Sequence, residues 1–169
     1  VECDRHDLHG TGREQPWRIE YFGVGNENWG CGGAMRPEYY ADLFRRYATF
    51  CRDYSGNKLC RVACGPGGLD QNWTRVLMDR AHREMQALSL HFYTVWPEWQ
   101  NKTPATGFGE KEWFAILRGC LEMEVALDQT EEIMDRVDPK KRIELFADEW
   151  GSWYAVEPGH PGYGLFQQN

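Results

Sequence analysis

Short apolar runs alternate along this chain with longer stretches in which apolar residues recur every three or four positions. The short runs predict buried strands at residues 19–24, 59–64, 87–93 and 143–147. The longer stretches predict helices at residues 36–54, 73–86 and 111–137. Residues 94–109 show neither period, and we expect a long loop there. The order of elements is therefore strand, helix, strand, helix, strand, helix, strand.

This alternation predicts an α/β fold whose strands are parallel and joined by right-handed crossovers. Four such strands form either a small doubly wound sheet or half of an eight-stranded barrel. In both architectures a functional site lies at the carboxyl ends of the strands. No Gly-x-Gly-x-x-Gly motif joins a strand to a helix, so we expect no dinucleotide cofactor.

Composition narrows the classes of partner. The 169 residues are 41% hydrophobic and carry a net charge of −7, which suits a globular domain and disfavours nucleic acid or an anionic membrane as partner. No run approaches the roughly 20 apolar residues of a membrane span. We expect the six cysteines to be reduced thiols. We expect no metal site at Cys3, His6 and His9, because nothing supplies a fourth ligand.

Two glutamates stand where predicted strands end. Glu27 follows the first strand and Glu149 follows the fourth, while His91 and Tyr93 close the third. Two carboxylates at one rim are what glycoside hydrolysis requires, one as proton donor and the other as nucleophile or base. In a flat sheet, strands three apart lie about 14 Å from each other. We therefore expect that only closure into a barrel brings these two carboxylates together.

The neighbours of the two glutamates suit different tasks. The amide of Asn26 can hydrogen-bond a sugar hydroxyl beside the reacting carbon. The phenol of Tyr93 can hold the carboxylate of Glu149 ionised and oriented. Asp148 precedes Glu149, and strand alternation predicts that its side chain points away from Glu149.

Longer motifs around these residues carry a family resemblance. Residues 20–33, EYFGVGNENWGCGG, resemble the acid/base segment of the family 51 glycoside hydrolases, the intracellular-type α-L-arabinofuranosidases. Residues 90–94, LHFYT, and residues 146–150, FADEW, resemble the segments at the sixth and seventh barrel strands of that family. Residues 12–17 and 105–108 also resemble it, so the resemblance covers nearly the whole chain.

The resemblance implies a partial (β/α)8 TIM barrel over residues 1–169, with strands four to seven and their helices. The early strands, the last strand and the C-terminal β-sandwich of the family are expected to lie outside this chain. Glu27 is implied as general acid/base and Glu149 as nucleophile of a retaining double displacement. The residues implied to contact the substrate or the nucleophile are Asn26 at the 2-hydroxyl, Tyr93 on the nucleophile, and His91 and Trp153 along the sugar subsite.

The resemblance also implies a cytoplasmic, homo-oligomeric enzyme that removes terminal arabinofuranose from arabinoxylan or arabinan oligosaccharides without a metal or other cofactor. Half a barrel leaves two strand edges unpaired, so we expect the 169-residue chain alone to be inactive or poorly folded. Two alternatives stay open. One is another retaining glycosidase of the same clan, a β-xylosidase or endoglucanase, and the other is a non-catalytic carbohydrate-binding module that uses its tryptophans.

Overall fold

The structure, a computed structural model, describes residues 18–54, 56–156 and 158–159. The motif at residues 12–17 and the trio Cys3, His6 and His9 lie outside the described residues. The strands are β1 Tyr21–Val24, β2 Cys60–Ala63, β3 Ala87–Thr94, β4 Pro97–Glu98, β5 Asn101–Lys102 and β6 Glu144–Ser152. The helices are α1 Pro37–Ala48, α2 Gln71–Ala81, α3 Glu110–Cys120 and α4 Glu122–Val137.

Four of the strands form one parallel sheet in the order β1-β2-β3-β6. Each successive strand in this sheet is reached through at least one helix, which confirms the α/β alternation predicted from the sequence. The carboxyl ends of the four strands consequently share one edge, which is where parallel α/β sheets place their sites.

The core lies between the sheet and helices α1, α2 and α4. Phe44 of α1, Leu77 of α2 and Met134 of α4 are buried together against Leu88 of β3. Tyr40 links this layer to the sheet through its hydroxyl group. The hydroxyl donates to the Val24 carbonyl at 2.7 Å and accepts from the backbone N–H of Cys64, the residue directly after β2. Burial of these large apolar side chains fixes the helices on one face of the sheet.

The opposite face of the sheet is concave. Tyr21 of β1 and Phe146 of β6 lie on the two outermost strands, yet their ring centroids are 5.7 Å apart in an edge contact. The space they border, lined also by Ser89 and Asp148, has a volume of about 340 Å³. Strands separated by three intervals of about 4.8 Å can make this contact only in a strongly curved sheet. The four strands therefore already curl as a barrel wall does.

Several elements differ from the sequence prediction. The fourth strand of the sheet, β6, extends to Ser152, so Glu149 lies within it and not after it, and the helix predicted at 73–86 is α2, Gln71–Ala81. The predicted helix at 36–54 ends at Ala48, and the side chains of Phe50 and Tyr54 beyond it are exposed. The apolar pattern in the sequence is therefore longer than the helix that is buried against the core. The predicted helix at 111–137 is divided into α3 and α4 at Leu121, whose backbone N–H bonds three residues back to Arg118 in a tighter turn. The long predicted loop contains the small antiparallel pair of β4 and β5.

Two further expectations concern thiols and membranes. The described cysteines, namely Cys31, Cys51, Cys60, Cys64 and Cys120, are all free thiols. Within the described part of the chain, no helix combines the length and the apolar character needed to cross a bilayer.

Candidate active site

Glu27 stands on a tight loop just beyond β1. Gly25 and Glu27 both have positive φ, 114° and 44°, and such a conformation is uncommon for a residue with a side chain. The loop folds back on Glu27, because its carbonyl accepts hydrogen bonds from the N–H groups of Gly30 at 2.8 Å and Gly32 at 2.9 Å. A Cβ on Gly32 would lie 1.8 Å from the Asn26 carbonyl oxygen, so only glycine permits this return. The backbone thus holds the Glu27 carboxylate over the sheet edge.

His91 is the centre of the cluster. Its side chain is 4% exposed and lies among three carboxylates. Its Nδ1 is 3.0 Å from Oε1 of Glu27 and 3.3 Å from Oε2 of Glu149. Its Nε2 is 3.3 Å from Oδ1 of Asp148. One imidazole therefore bridges both glutamates on one edge and an aspartate on the other.

The two glutamates are brought within reach of one small group. One carboxylate oxygen from each of Glu27 and Glu149, together with one ring nitrogen of His91, lie within 4.8 Å of one another. Retaining glycosidases hold their two carboxyl groups about 5–5.5 Å apart, and inverting ones about 6.5–9.5 Å. The same three atoms could also share a cation. The four-stranded sheet suffices for this approach, so the expectation that only a closed barrel unites the pair is wrong; curvature alone does it.

Tyr93 contacts Glu149 from the end of β3. Its hydroxyl donates to Oε2 of Glu149 at 3.1 Å. Burial, then the hydrogen bond to Glu149 and the charge of that carboxylate, raise the pKa of Tyr93 to about 12. The phenol consequently keeps its proton near neutral pH and acts as a fixed donor to Glu149.

Aromatic side chains extend from Tyr93 toward the surface. Trp153 is partly buried with its ring centroid 5.8 Å from that of Tyr93, and Trp99 lies 6.1 Å from Trp153. The Lys102 ammonium lies 5.5 Å from the centre of the Trp99 ring. Trp153 thus lies beside the acidic cluster, whereas Asn26 is exposed next to Glu27. Trp99 was not predicted as a site residue, because a lone tryptophan in a loop gives no sign of where it packs.

Cys31 is a neighbour of Glu27 that sequence reasoning missed. Its thiol donates to Oε2 of Glu27 at 3.0 Å, and this bond raises the pKa of the Cys31 thiol. Burial raises the pKa of Glu27, but hydrogen bonds from His91 and Cys31 and the charge of His91 outweigh burial, so its pKa lies below the usual range. The four-residue spacing between Glu27 and Cys31 does not by itself predict their contact, because the contact depends on the turn between them.

Asp148 does not point away from Glu149 as predicted. Leu90 pairs with Ala147, and the next residue, His91, pairs with Glu149, so Asp148 is an extra residue at a β-bulge. The bulge breaks the alternation of the strand, and the side chains of Asp148 and Glu149 both reach His91. Burial raises the pKa of Asp148 despite the opposing charge of His91.

Glycines let the second strand approach closely enough to support this edge. A Cβ on Gly65 would lie 1.6 Å from the Ser89 carbonyl oxygen, and one on Gly67 would lie 2.7 Å from the Trp29 ring. The Trp29 indole N–H donates to the Gly65 carbonyl at 3.1 Å, and its ring meets His91 edge-on. The Gly-Pro-Gly-Gly turn after β2 therefore packs against Trp29 and His91 and supports both side chains.

Comparison with known proteins gives a consistent result. No protein-family model matches the chain. An intracellular exo-alpha-L-arabinofuranosidase of Bacteroides ovatus is 49% identical over 159 residues, which are 94% of this chain and 31% of that protein. A crystal structure of the GH51 arabinofuranosidase from Xanthomonas axonopodis pv. citri aligns with a TM-score of 0.90 and 42% identity, covering 100% of this chain and 34% of that one.

A more distant structure supports the fold alone. The family 51 alpha-L-arabinofuranosidase AbfB of Bifidobacterium longum aligns with a TM-score of 0.71 at 23% identity, over 91% of this chain and 31% of that one. With the curved parallel sheet and the acidic edge, these matches show that the chain resembles part of the barrel of a class of glycoside hydrolases. Within that class the resemblance to family 51 is confirmed. The chain spans about a third of the length of the relatives it matches.

Proposed function

We propose that the full-length protein carrying this chain is a retaining, exo-acting α-L-arabinofuranosidase. The observation that carries the proposal is the approach of the Glu27 and Glu149 carboxylate oxygens to within 4.8 Å. The names of the Bacteroides and Xanthomonas relatives support the choice of arabinofuranose as the sugar removed. The Bacteroides relative is named intracellular, and we extend this to a cytoplasmic location. Arabinoxylan or arabinan oligosaccharides are the proposed substrates.

The proposed reaction has two displacement steps. In the first, a Glu149 oxygen bonds to the anomeric carbon while the glycosidic bond breaks and Glu27 gives its proton to the leaving oxygen. In the second, Glu27 takes a proton from water, the water oxygen bonds to the anomeric carbon, and the ester to Glu149 breaks. Tyr93 donates to Oε2 of Glu149, so we assign the attack to the other oxygen, Oε1. Asn26 and Trp153 are proposed to hold the sugar.

His91 supplies a means of changing the state of Glu27 between the two steps. The bond from His91 lowers the pKa of Glu27, which suits a base but opposes an acid. Nδ1 lies within 3.3 Å of Glu149 as well, so the same N–H can serve either carboxylate. When it serves Glu149, Glu27 loses one of the hydrogen bonds that lower its pKa and keeps the one from Cys31, so its burial has more weight toward the protonated form. We propose that this state starts the reaction.

Two alanine variants of the full-length protein test the proposal. Glu27→Ala should lower kcat for an aryl α-L-arabinofuranoside by about 10²- to 10⁴-fold, as expected for loss of an acid/base. Added azide should restore turnover and yield the arabinosyl azide of retained configuration. Glu149→Ala should also abolish hydrolysis, with azide giving the inverted azide instead.

The same preparation separates the alternatives. Faster hydrolysis of aryl β-D-xylosides or of β-glucans than of the arabinofuranoside would replace the proposal with another glycosidase of the clan. Sugar binding that survives Glu149→Ala, in a wild-type protein that hydrolyses none of these substrates, would show a binding module. Either outcome contradicts the arabinofuranosidase assignment.

A further inference from the structure

We propose that Asp148 is a positioning residue, which holds the His91 ring so that Nδ1 faces both glutamates. The proposal rests on the function proposed above and extends it to a residue outside the acid pair. Its starting observation is the contact of 3.3 Å between Oδ1 of Asp148 and Nε2 of His91.

The two ring nitrogens of an imidazole point in different directions, so a partner on one nitrogen fixes what the other can reach. Nε2 of His91 has Asp148 as its partner, and Nδ1 then lies 3.0 Å from Glu27 and 3.3 Å from Glu149. A carboxylate only accepts hydrogen bonds, so the contact with Asp148 keeps a proton on Nε2 in addition to the Nδ1–H that serves the glutamates. Turning the ring over would remove Nδ1 from both glutamates.

Packing alone does not decide between the two orientations of the His91 ring. The His91 side chain is 4% exposed, and Trp29 meets its ring edge-on with the centroids 6.4 Å apart. These apolar contacts hold the plane of the ring, but carbon and nitrogen atoms of an imidazole occupy similar space. Only a polar partner distinguishes the two orientations, and Asp148 supplies that partner on the edge away from the glutamates.

The fold places Asp148 there by an irregularity. In a regular β6 the side chains of Asp148 and Glu149 would face opposite sides of the sheet. The register shift between Leu90 and His91 adds one residue to β6, and this brings both acids to the same imidazole. Bulges commonly redirect a side chain at a functional site, and this one redirects the acid that contacts Nε2.

Kinetics on two substrates test the positioning role in the full-length protein. Asp148→Ala should lower kcat/KM about tenfold for phenyl α-L-arabinofuranoside, whose leaving group needs the proton of Glu27, as for loss of one hydrogen bond to a charged group. The loss should be smaller for the 2,4-dinitrophenyl substrate, whose leaving group needs little protonation. Asp148→Asn keeps an accepting oxygen and should recover activity to within about threefold of wild type. Glu144→Ala, an exposed acid at the start of β6, is the matched control and should match wild type.

Three results would overturn the proposal: wild-type kinetics for Asp148→Ala, an equal loss on both substrates, or an Asn variant as impaired as the Ala variant. The second of these would indicate a general structural defect. Nitrogen NMR of the His91 ring gives a readout that does not depend on turnover. A proton on Nε2, beside the one on Nδ1, should be present in wild type and in Asp148→Asn and be lost in Asp148→Ala. Wild-type protein that hydrolyses no arabinofuranoside, while the ring signal behaves as expected, would refute the proposed function and leave the positioning role standing.

Discussion

Replacing Tyr93 with Phe tests how Glu149, the proposed nucleophile, is held, because this change removes one atom. The lost hydroxyl donates to Oε2 of Glu149 at 3.1 Å, while the ring contact with Trp153 stays. Hydrogen bonds to charged groups contribute about 1.5–3 kcal/mol. The same oxygen has His91 at 3.3 Å and Glu149 is about a third exposed, so we expect the lower end, about 1.5–2 kcal/mol. This corresponds to a fall in kcat/KM of about 10- to 30-fold.

The assay is hydrolysis of 4-nitrophenyl α-L-arabinofuranoside by the full-length protein. Thermal unfolding should be nearly unchanged, because the phenol is at the edge and not in the main core. Tyr47→Phe is the matched control, since Tyr47 is exposed on α1, and it should behave as wild type. A loss of less than about twofold for Tyr93→Phe would refute the assignment of Glu149 as the group that this phenol serves.

Three further predictions address the fold and the chemistry. Gly65→Ala places a Cβ against the Ser89 carbonyl and should lower the free energy of unfolding, measured with urea, by about 1–3 kcal/mol or more, the usual cost of overpacking a core. Gly30→Ala is the control and should leave the stability unchanged, because its Cβ would be 3.8 Å from the nearest atom. Asp138→Ala removes the acceptor for the Ile143 N–H and should lower the urea midpoint at pH 7. The Asp138 pKa lies below its usual range, so the stabilisation is present above the ordinary Asp pKa and lost as pH falls through the lowered value; a difference between wild type and variant that grows in acid would contradict this. Dialysis against EDTA should leave the proposed arabinofuranosidase activity of the full-length protein unchanged, because the proposed mechanism needs only two carboxylates, and lost activity restored by a divalent ion would exclude that mechanism.

The parts of the fold that depend on local pattern could be predicted from the sequence. The strand before Gly25 is short and apolar and is ended by glycine, so the position of Glu27 beyond its carboxyl end follows directly. Parallel alternation then sends the carboxyl end of β6, with Glu149, to the same edge. Two of the site residues thus required no knowledge of packing.

The parts that depend on tertiary contact could not be predicted. Nothing local distinguishes Asp148 as the extra residue of a bulge, since the register of β6 is set by its pairing with β3. The division of α3 from α4 at Leu121 likewise has no Pro or helix-breaking signal at that residue. The contact from Cys31 to Glu27 arises only because the glycine loop turns back on itself. Each of these features depends on contacts or backbone geometry that the order of residues alone does not reveal.

The bulge in β6 has a consequence for the stereochemical outcome of the proposed hydrolysis. Two acids stand in succession there, and the pairing with β3 decides that Glu149 is the one opposite His91. A slip of one residue would bring Asp148 to that position, with a side chain shorter by one carbon–carbon bond of about 1.5 Å. The gap to Glu27, which for Glu149 is within 4.8 Å, would widen toward the range in which a water molecule fits between the acids and the proposed retention would give way to inversion. In the proposed reaction, the anomeric configuration of the product therefore depends on the hydrogen-bond register along one pair of strands.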